Sequence, residues 1–93
     1  MAKYELTVLV DGKATAAKVK STSEKIEKII KDFKGKIDKS DNWGKMDLAY
    51  KIGKFDTGVY LFFEIELEES DVKGINNKLT TDDSILRHLV VKK

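Results

Sequence analysis

The chain has 93 residues, of which 18 are basic and 16 acidic, a net charge of +2 and no cysteine. This length allows a single domain, expected over residues 1–93, with one modest core and no cleft between domains. Without cysteine, disulfides and thiolate metal sites are excluded, and no apolar run approaches the roughly 20 residues of a membrane span. The N-terminus lacks the long apolar region of a signal peptide, so we expect a cytoplasmic protein.

The basic residues are unevenly distributed along the chain. Residues 1–54 carry 13 lysines against 8 acidic residues, whereas residues 55–84 carry 2 lysines against 8 acidic residues. The last nine residues, 85–93, add one arginine and two lysines. A basic region can attract phosphate even when the total charge is near neutral. Interleaved lysines that merely keep the protein soluble are the alternative interpretation.

The first element is a predicted strand over residues 4–10, YELTVLV, in which apolar side chains alternate on one face. A helix follows, and its apolar stripe is formed by Ile26, Ile29, Ile30 and Phe33. The start of this helix is open between residues 15 and 22. Ser21 with Glu24 matches a capping box, whereas the position of Val19, one heptad before Ile26, is equally consistent with a start near Thr15. Gly35 is expected to end the helix in a left-handed conformation.

Residues 35–52 predict a long strand or two-part ribbon that is broken or bulged near Trp43-Gly44. After the bulge the residues alternate strictly, which places Met46, Leu48, Tyr50 and Ile52 on one face. The opposite face, expected to remain uncovered, receives Lys45 and Lys51.

Residues 54–58 predict a turn, and residues 59–68, VYLFFEIELE, predict the clearest strand in the chain. One face of this strand is fully apolar. The other carries Tyr60, Phe62 and a row of glutamates. The strands before and after the turn are expected to pair antiparallel.

A second, shorter helix is expected to begin at a Ser70 cap, and residues 85–91, ILRHLVV, predict the last strand. The element order is β-α-β-β-α-β. One apolar sheet face and two amphipathic helices predict an α+β, ferredoxin-like fold, with a four-stranded antiparallel sheet and both helices on one face. The other sheet face should be open.

Signals for enzymatic chemistry are nearly absent. The chain has no glycine-rich phosphate loop or nucleophile motif, and its only histidine, His88, is expected to be a strand surface residue. Glu64, Glu66 and Glu68 recur at alternate positions, a pattern more typical of a solvated, aggregation-resisting surface than of a metal site. We expect no catalytic residue, metal, cofactor, membrane association or small-molecule substrate.

Two features suggest binding. Tyr60 and Phe62 on the open face could stack RNA bases, as in many RNA-binding sheets, or pack against neighbouring side chains or a partner protein. The second feature is a set of basic residues that would form a phosphate-binding patch if they gather at one end of the sheet. This set comprises Lys3, Lys45, Lys51, Lys54, Arg87, Lys92 and Lys93.

With these segments assigned, the chain resembles the bacterial small-subunit ribosomal protein six family over nearly its whole length. The segments that carry the resemblance are YELTVLV, NWGKMDLAYKI, GVYLFFEIEL and ILRHLVVKK. The resemblance implies the same βαββαβ fold and a non-catalytic role in the ribosome. It further implies binding of 16S ribosomal RNA in the platform of the small subunit, together with ribosomal protein eighteen.

The resemblance also implies roles for particular residues. Lys45 lies in the basic pair of the family's second strand, Arg87 matches the arginine of the last strand, and Lys92 matches its terminal basic residue. The remaining lysines of the set are predicted from charge and face alone. From its position, Trp43 is predicted to bind the protein partner with Tyr60 and Phe62; capping of the core at the strand bend and contact with RNA are the alternative roles for Trp43.

The chain departs from the family pattern at three places. Lys51 replaces a proline typical of an edge strand, which restores a backbone donor. Asp47 would repel phosphate beside Lys45. The chain stops at Lys93, whereas many relatives continue into a tail that touches protein eighteen, so we expect weaker or differently shaped docking.

Two other functions remain open. The same fold could serve as a protein-interaction or ligand-binding module that dimerises through the open sheet face. An acylphosphatase-type enzyme is a more distant alternative, because VLVDGKAT lacks the glycine-rich anion loop and its arginine.

Overall fold

The computed structural model describes the backbone of residues 1–52 and 55–93, and the side chains of these residues except 46, 48–52, 55 and 56. The elements are β1 (Ala2–Asp11), α1 (Ala16–Asp32), β2 (Lys36–Ile52), β3 (Phe55–Leu67), α2 (Glu69–Thr80) and β4 (Ile85–Lys92). The four strands are ordered β2-β3-β1-β4 and every neighbouring pair is antiparallel. The predicted ferredoxin-like α+β fold is confirmed.

The core lies between the two central strands and the helices. Alternate residues of β1 and β3 lie opposite one another across the ladder, as Leu6 does with Phe63, and both of these side chains are fully buried. Helix α1 contributes Ile26 and Ile30, and α2 contributes Ile75. Burying such side chains contributes about 1.5–3 kcal/mol each, so the alternating pattern of the central strands fixes which sheet face the helices cover.

Helix α1 begins after Thr15, whose Oγ1 accepts a hydrogen bond from the Lys18 N–H at 3.1 Å. The alternative start at the Ser21 capping box is therefore wrong. The earlier start lets Val19 and Thr22 face inward, and both are buried. Thr22 Oγ1 donates to the Lys18 carbonyl at 2.9 Å, so this buried hydroxyl is satisfied within its own helix.

The C-terminus of α1 ends differently from the prediction. Lys34, not Gly35, adopts the left-handed conformation, with φ of 60°. The N–H of Gly35 donates to the Ile30 carbonyl and that of Lys34 to the Lys31 carbonyl, which is the Schellman pattern. Gly35 is needed for packing, because a Cβ there would overlap Leu67 and lie 2.9 Å from Ile30 Cγ2.

The boundaries of two later elements also differ from expectation. Helix α2 is capped by the backbone of Glu68, with no side-chain hydrogen bond, so the predicted Ser70 cap is wrong. Strand β3 begins at Phe55, so the turn predicted over 54–58 is wrong from Phe55 onward, and Lys54 lies outside the described residues. The alternation predicted for Met46, Leu48, Tyr50 and Ile52 concerns side chains that also lie outside the described part of the structure.

Candidate functional site

The face of the sheet opposite the helices carries the aromatic residues predicted for binding. Residues directly opposite in an antiparallel ladder point to the same face. Tyr60 lies opposite Leu9, and Phe62 opposite Thr7. Neither Leu9 nor Thr7 belongs to the core cluster between the sheet and the helices. On the other edge of β1, Leu9 lies opposite Arg87. Tyr60, Phe62 and Arg87 therefore share the open face, and the placement predicted for the two aromatic residues is confirmed.

Trp43 lies at a bulge that turns its ring onto this open face. The pairing of β2 with β3 shifts between Asn42 and Gly44, which leaves Trp43 without a partner in the ladder. Gly44 has a φ of +85°, and its N–H donates to Asn42 Oδ1 at 2.7 Å. The indole stacks on Phe62 with ring centroids 4.9 Å apart and an interplanar angle of 12°. Trp43 remains 49% exposed, so its outer side is free for contact.

Strand β4 adds two exposed apolar side chains to the same face, and sequence reasoning did not single them out. Leu89 lies opposite Thr7 and Val91 opposite Glu5, and their exposed fractions are 61% and 48%. Their alternation with Val90 in the last strand was the signal that could have found them. We call Trp43, Phe62, Leu89 and Val91 the open-face strip. Exposed apolar residues on one face are typical of an interaction surface.

One end of the open face is occupied by charges that balance one another. Lys93 Nζ donates to Glu64 Oε1 at 2.7 Å. This hydrogen bond, with the charges of Lys93, Lys39 and Lys3, holds the pKa of the Glu64 carboxyl below its ordinary value, and only partial desolvation opposes it. The same bond raises the pKa of Lys93. Across the ladders Glu66 lies opposite Lys3 and Lys36, whereas Glu64 lies opposite Lys39 on one side and Glu5 on the other.

Lys92 points to the opposite side of the sheet from Lys93. It lies opposite Tyr4, whose side chain is buried in the core, and its Nζ donates to Glu69 Oε1 of α2. This bond raises the pKa of Lys92 and lowers that of Glu69, so both groups stay charged over the neutral range. An exposed pair of this kind contributes little to stability and can be exchanged for another partner.

The described members of the predicted basic set do not form one patch, so the expectation of a single patch is wrong for them. Lys3, Lys92 and Lys93 lie at one end of the sheet, where the Lys93 N–H donates to the Lys3 carbonyl at 2.9 Å. Arg87 lies near the other end of the open face. Lys45 lies opposite Val59 and hence on the helix side, because the bulge at Trp43 shifts the alternation by one residue. The remaining members are Lys54 and the side chain of Lys51, which lie outside the described residues.

His88, predicted to be a strand surface residue, is half-buried. It lies opposite Val8 on the helix side, with its Nε2 3.1 Å from Asn76 Oδ1 of α2. Partial burial lowers its pKa. Within residues 1–52 and 55–93, no group of three or more metal-ligating side chains comes together, and no helix is long and apolar enough to cross a membrane.

Comparisons with known proteins agree with this fold. The family profile described as Ribosomal protein S6 matches residues 3–92. Small ribosomal subunit protein bS6 of Cutibacterium acnes is 35% identical over 92 residues, which cover 99% of this chain and 96% of that protein. The chloroplastic protein Regulator of fatty acid composition 3 of Arabidopsis thaliana is 33% identical over the whole chain, but the match covers only 29% of its length.

A solved structure extends the agreement to three dimensions. The crystal structure of 30S ribosomal protein S6 from Thermotoga maritima superposes with a TM-score of 0.93 at 25% identity, covering 99% of this chain and 87% of that one. The family is structural and non-enzymatic, which confirms the expected non-catalytic role in the ribosome. The chain belongs to the ribosomal protein S6 family.

Proposed function

We propose that this protein is a structural component of the small ribosomal subunit that binds 16S ribosomal RNA in the platform together with ribosomal protein eighteen. The observation that carries the proposal is the match to the S6 family over residues 3–92. Two relatives matched over 96% and 98% of their length bear the name of a small ribosomal subunit protein, which supports a role for this chain in the cytoplasmic ribosome.

RNA contact in this proposal is made at several separate points. Among the described residues, Lys3, Lys45 and Arg87 make no ion pair, so their charges are available to phosphates. Lys92 and Lys93 are paired with carboxylates and would exchange those partners for phosphate on binding. Because few cations face any one direction, the affinity of the free protein for RNA should be low and sensitive to salt.

The open-face strip is the part of the protein best suited to a protein partner. Trp43, Leu89 and Val91 are apolar and exposed, and the half-buried Phe62 stacks on Trp43 to give a rigid aromatic surface. Aromatic residues are enriched in protein interfaces because they bury a large area with few rotatable bonds. Docking of ribosomal protein eighteen on the strip would leave the cations at the sheet ends for RNA, so each partner would strengthen the binding of the other.

Titration onto the matching 16S fragment, with and without protein eighteen, tests the proposal at two salt concentrations. Loss of two phosphate contacts in the double variant Arg87→Ala with Lys45→Ala should lower the salt slope by about 1.8 on duplex RNA. The control is Lys73→Ala with Lys78→Ala, which removes two exposed lysines of α2. Equal affinities for the double variant and the unmodified protein would count against these contacts.

The open-face strip also supports a second candidate function, a module that dimerises through its open sheet. Two copies that bury their strips against each other would remove the exposed apolar surface of both. This function predicts self-association that depends on concentration and is insensitive to RNA. Light scattering over a dilution series separates the two functions, because a protein that acts on the ribosome should remain monomeric.

A further inference from the structure

A groove of about 550 Å³ lies on the helix side of the sheet, between α1 and the edge strand β2. Its floor is apolar and is formed by Val19, Val59 and Leu61. Cavities of roughly 300–1,000 Å³ are typical of small-molecule sites, so this one is large enough for a single nucleotide. It lies on the opposite side of the sheet from the open-face strip.

The groove is open because the sequence places small and polar residues where the neighbouring strands carry large apolar ones. On β2, Ser40 lies opposite Phe63 and Asn42 opposite Leu61, so both point to the helix side. Helix α1 faces them with Ala16 and Ser23. These short side chains cannot fill the space between α1 and β2, so the groove stays open above a floor whose residues are more than nine-tenths buried.

The walls provide groups that suit a nucleotide. Lys20 of α1 and Lys45 of β2 both line the groove, and among the described residues neither makes an ion pair. Asn42 Oδ1 already accepts from the Gly44 N–H, and the Asn42 amide donates no hydrogen bond to the part of the chain that the structure describes. Asp41 is the one acidic residue among the described residues of the lining, and it is paired with Lys39 at 3.4 Å. The chemistry is therefore an apolar floor, neutral hydrogen-bonding groups and two cations.

We propose that this groove receives one unstacked nucleotide of the RNA, with the base on the apolar floor and the flanking phosphates at Lys20 and Lys45. This inference rests on the proposed function, since it needs RNA as the partner. Proteins recognise RNA mainly through bases that are splayed out of helices, and such a base needs an apolar surface and hydrogen-bonding groups in one pocket. An acidic peptide with an apolar anchor would meet the same cations, and the test includes it.

The test is the two-dimensional amide NMR spectrum of the full chain, titrated with short single-stranded oligoadenosine and oligouridine. We expect the amide signals of Ser23, Asn42 and Leu61 to move. Lys20→Ala with Lys45→Ala should weaken binding about 25-fold at 0.1 M salt, from about fivefold for each lost single-strand phosphate contact. Lys73→Ala with Lys78→Ala is the matched control and should change binding little.

A second set of variants fills the groove without changing its charge. Ser40→Trp on β2 and Ser23→Leu on α1 approach from opposite walls, so one remains informative if the other fails to fold. Either folded variant should abolish the shifts at Asn42. A nonspecific basic surface would instead bind these variants as tightly as it binds the unmodified protein.

The outcomes separate the groove from the broader proposal. The groove is not the nucleotide site if RNA still binds both filled variants, or if RNA shifts only the amide signals of the open face. Either result leaves the proposed ribosomal role intact. Shifts at Asn42 caused by an oligoglutamate peptide but not by RNA assign the groove to a protein partner and also overturn the inference. Failure of both the oligomers and the 16S fragment to bind overturns the proposed function itself.

Discussion

Glu64→Gln should strengthen the binding of RNA if Lys93 contacts phosphate. In the free protein the Glu64 carboxylate accepts a hydrogen bond from Lys93 Nζ at 2.7 Å. The charges of Lys3 and Lys39 also act on this carboxylate, since they contribute to its lowered pKa. RNA must therefore compete with Glu64 for these cations. Glutamine keeps the shape of the side chain and removes the competing charge.

The size of the effect follows from how many phosphates the liberated cations neutralise. One liberated cation neutralises one phosphate, which steepens the salt slope by about 0.7 for single-stranded RNA or about 0.9 for a duplex. At 0.1 M salt this corresponds to an increase in affinity of roughly five- to eightfold. Freeing Lys3 or Lys39 at the same time would make the increase larger.

Fluorescence anisotropy of a labelled 16S fragment, recorded over a series of salt concentrations, measures both quantities. Glu24→Gln is the matched control, because it makes the same change in net charge at an exposed position of α1. The reasoning requires a steeper slope for Glu64→Gln than for the control. Identical slopes and affinities for the two variants would show that Lys93 does not contact RNA.

Three further predictions concern folding. Gly74→Ala should destabilise the protein by up to about 2 kcal/mol, because overpacking a core costs about 1–3 kcal/mol and the better helix propensity of alanine returns about 1 kcal/mol. The new Cβ would lie 2.7 Å from Phe33 Cε1. Adding Phe33→Leu should reverse much of this loss in urea denaturation, and purely additive effects would contradict the assigned clash. Lys34→Gly should raise the free energy of unfolding by about 1 kcal/mol, since Lys34 has a φ of 60°; an unchanged urea midpoint would argue against strain there. Burial lowers the pKa of the His88 imidazole in the folded protein below its unfolded value of about 6.5. The free energy of unfolding should therefore fall as the pH drops from neutral through the folded pKa of His88. This decline should precede the titration of the carboxylates, which begins below about 4.5. His88→Gln should remove this part of the dependence in urea midpoints measured at several pH values, and an equally steep decline in the variant would exclude His88 as its cause.

The fold could be predicted from the sequence because its central strands have strong, uninterrupted alternation. Residues 59–68 and 4–10 each place one apolar set on one face, and only the covered face of a sheet accommodates such a set. Element ends were predicted less well. Several residues can cap a helix, and at the start of α1 the burial of Val19 decided in favour of Thr15. At its end, packing against Leu67 required Gly35 while Lys34 took the left-handed position.

The candidate site was harder to predict because it depends on pairing register. The bulge at Trp43 was expected, but its extra residue shifts the alternation by one position, and Lys45 consequently lies on the helix side. The spacing of charged residues in the sequence also could not predict which of them form ion pairs in the fold. Lys92 and Glu69 are separated by 23 positions in the chain, yet they form an ion pair across the β4–α2 contact. Basic residues that look alike in sequence therefore have different availability for phosphate.

Assembly on the small ribosomal subunit is the property on which all the assigned contacts depend, and co-sedimentation measures it directly. Purified protein, ribosomal protein eighteen and subunits depleted of both would be mixed and separated on gradients after washes of increasing salt. Co-migration with the subunit at low salt, progressive release as salt rises and better retention with protein eighteen present are the predicted results. Protein that stays at the top of the gradient in the mildest wash, with protein eighteen bound to the subunit, would contradict a role in this particle.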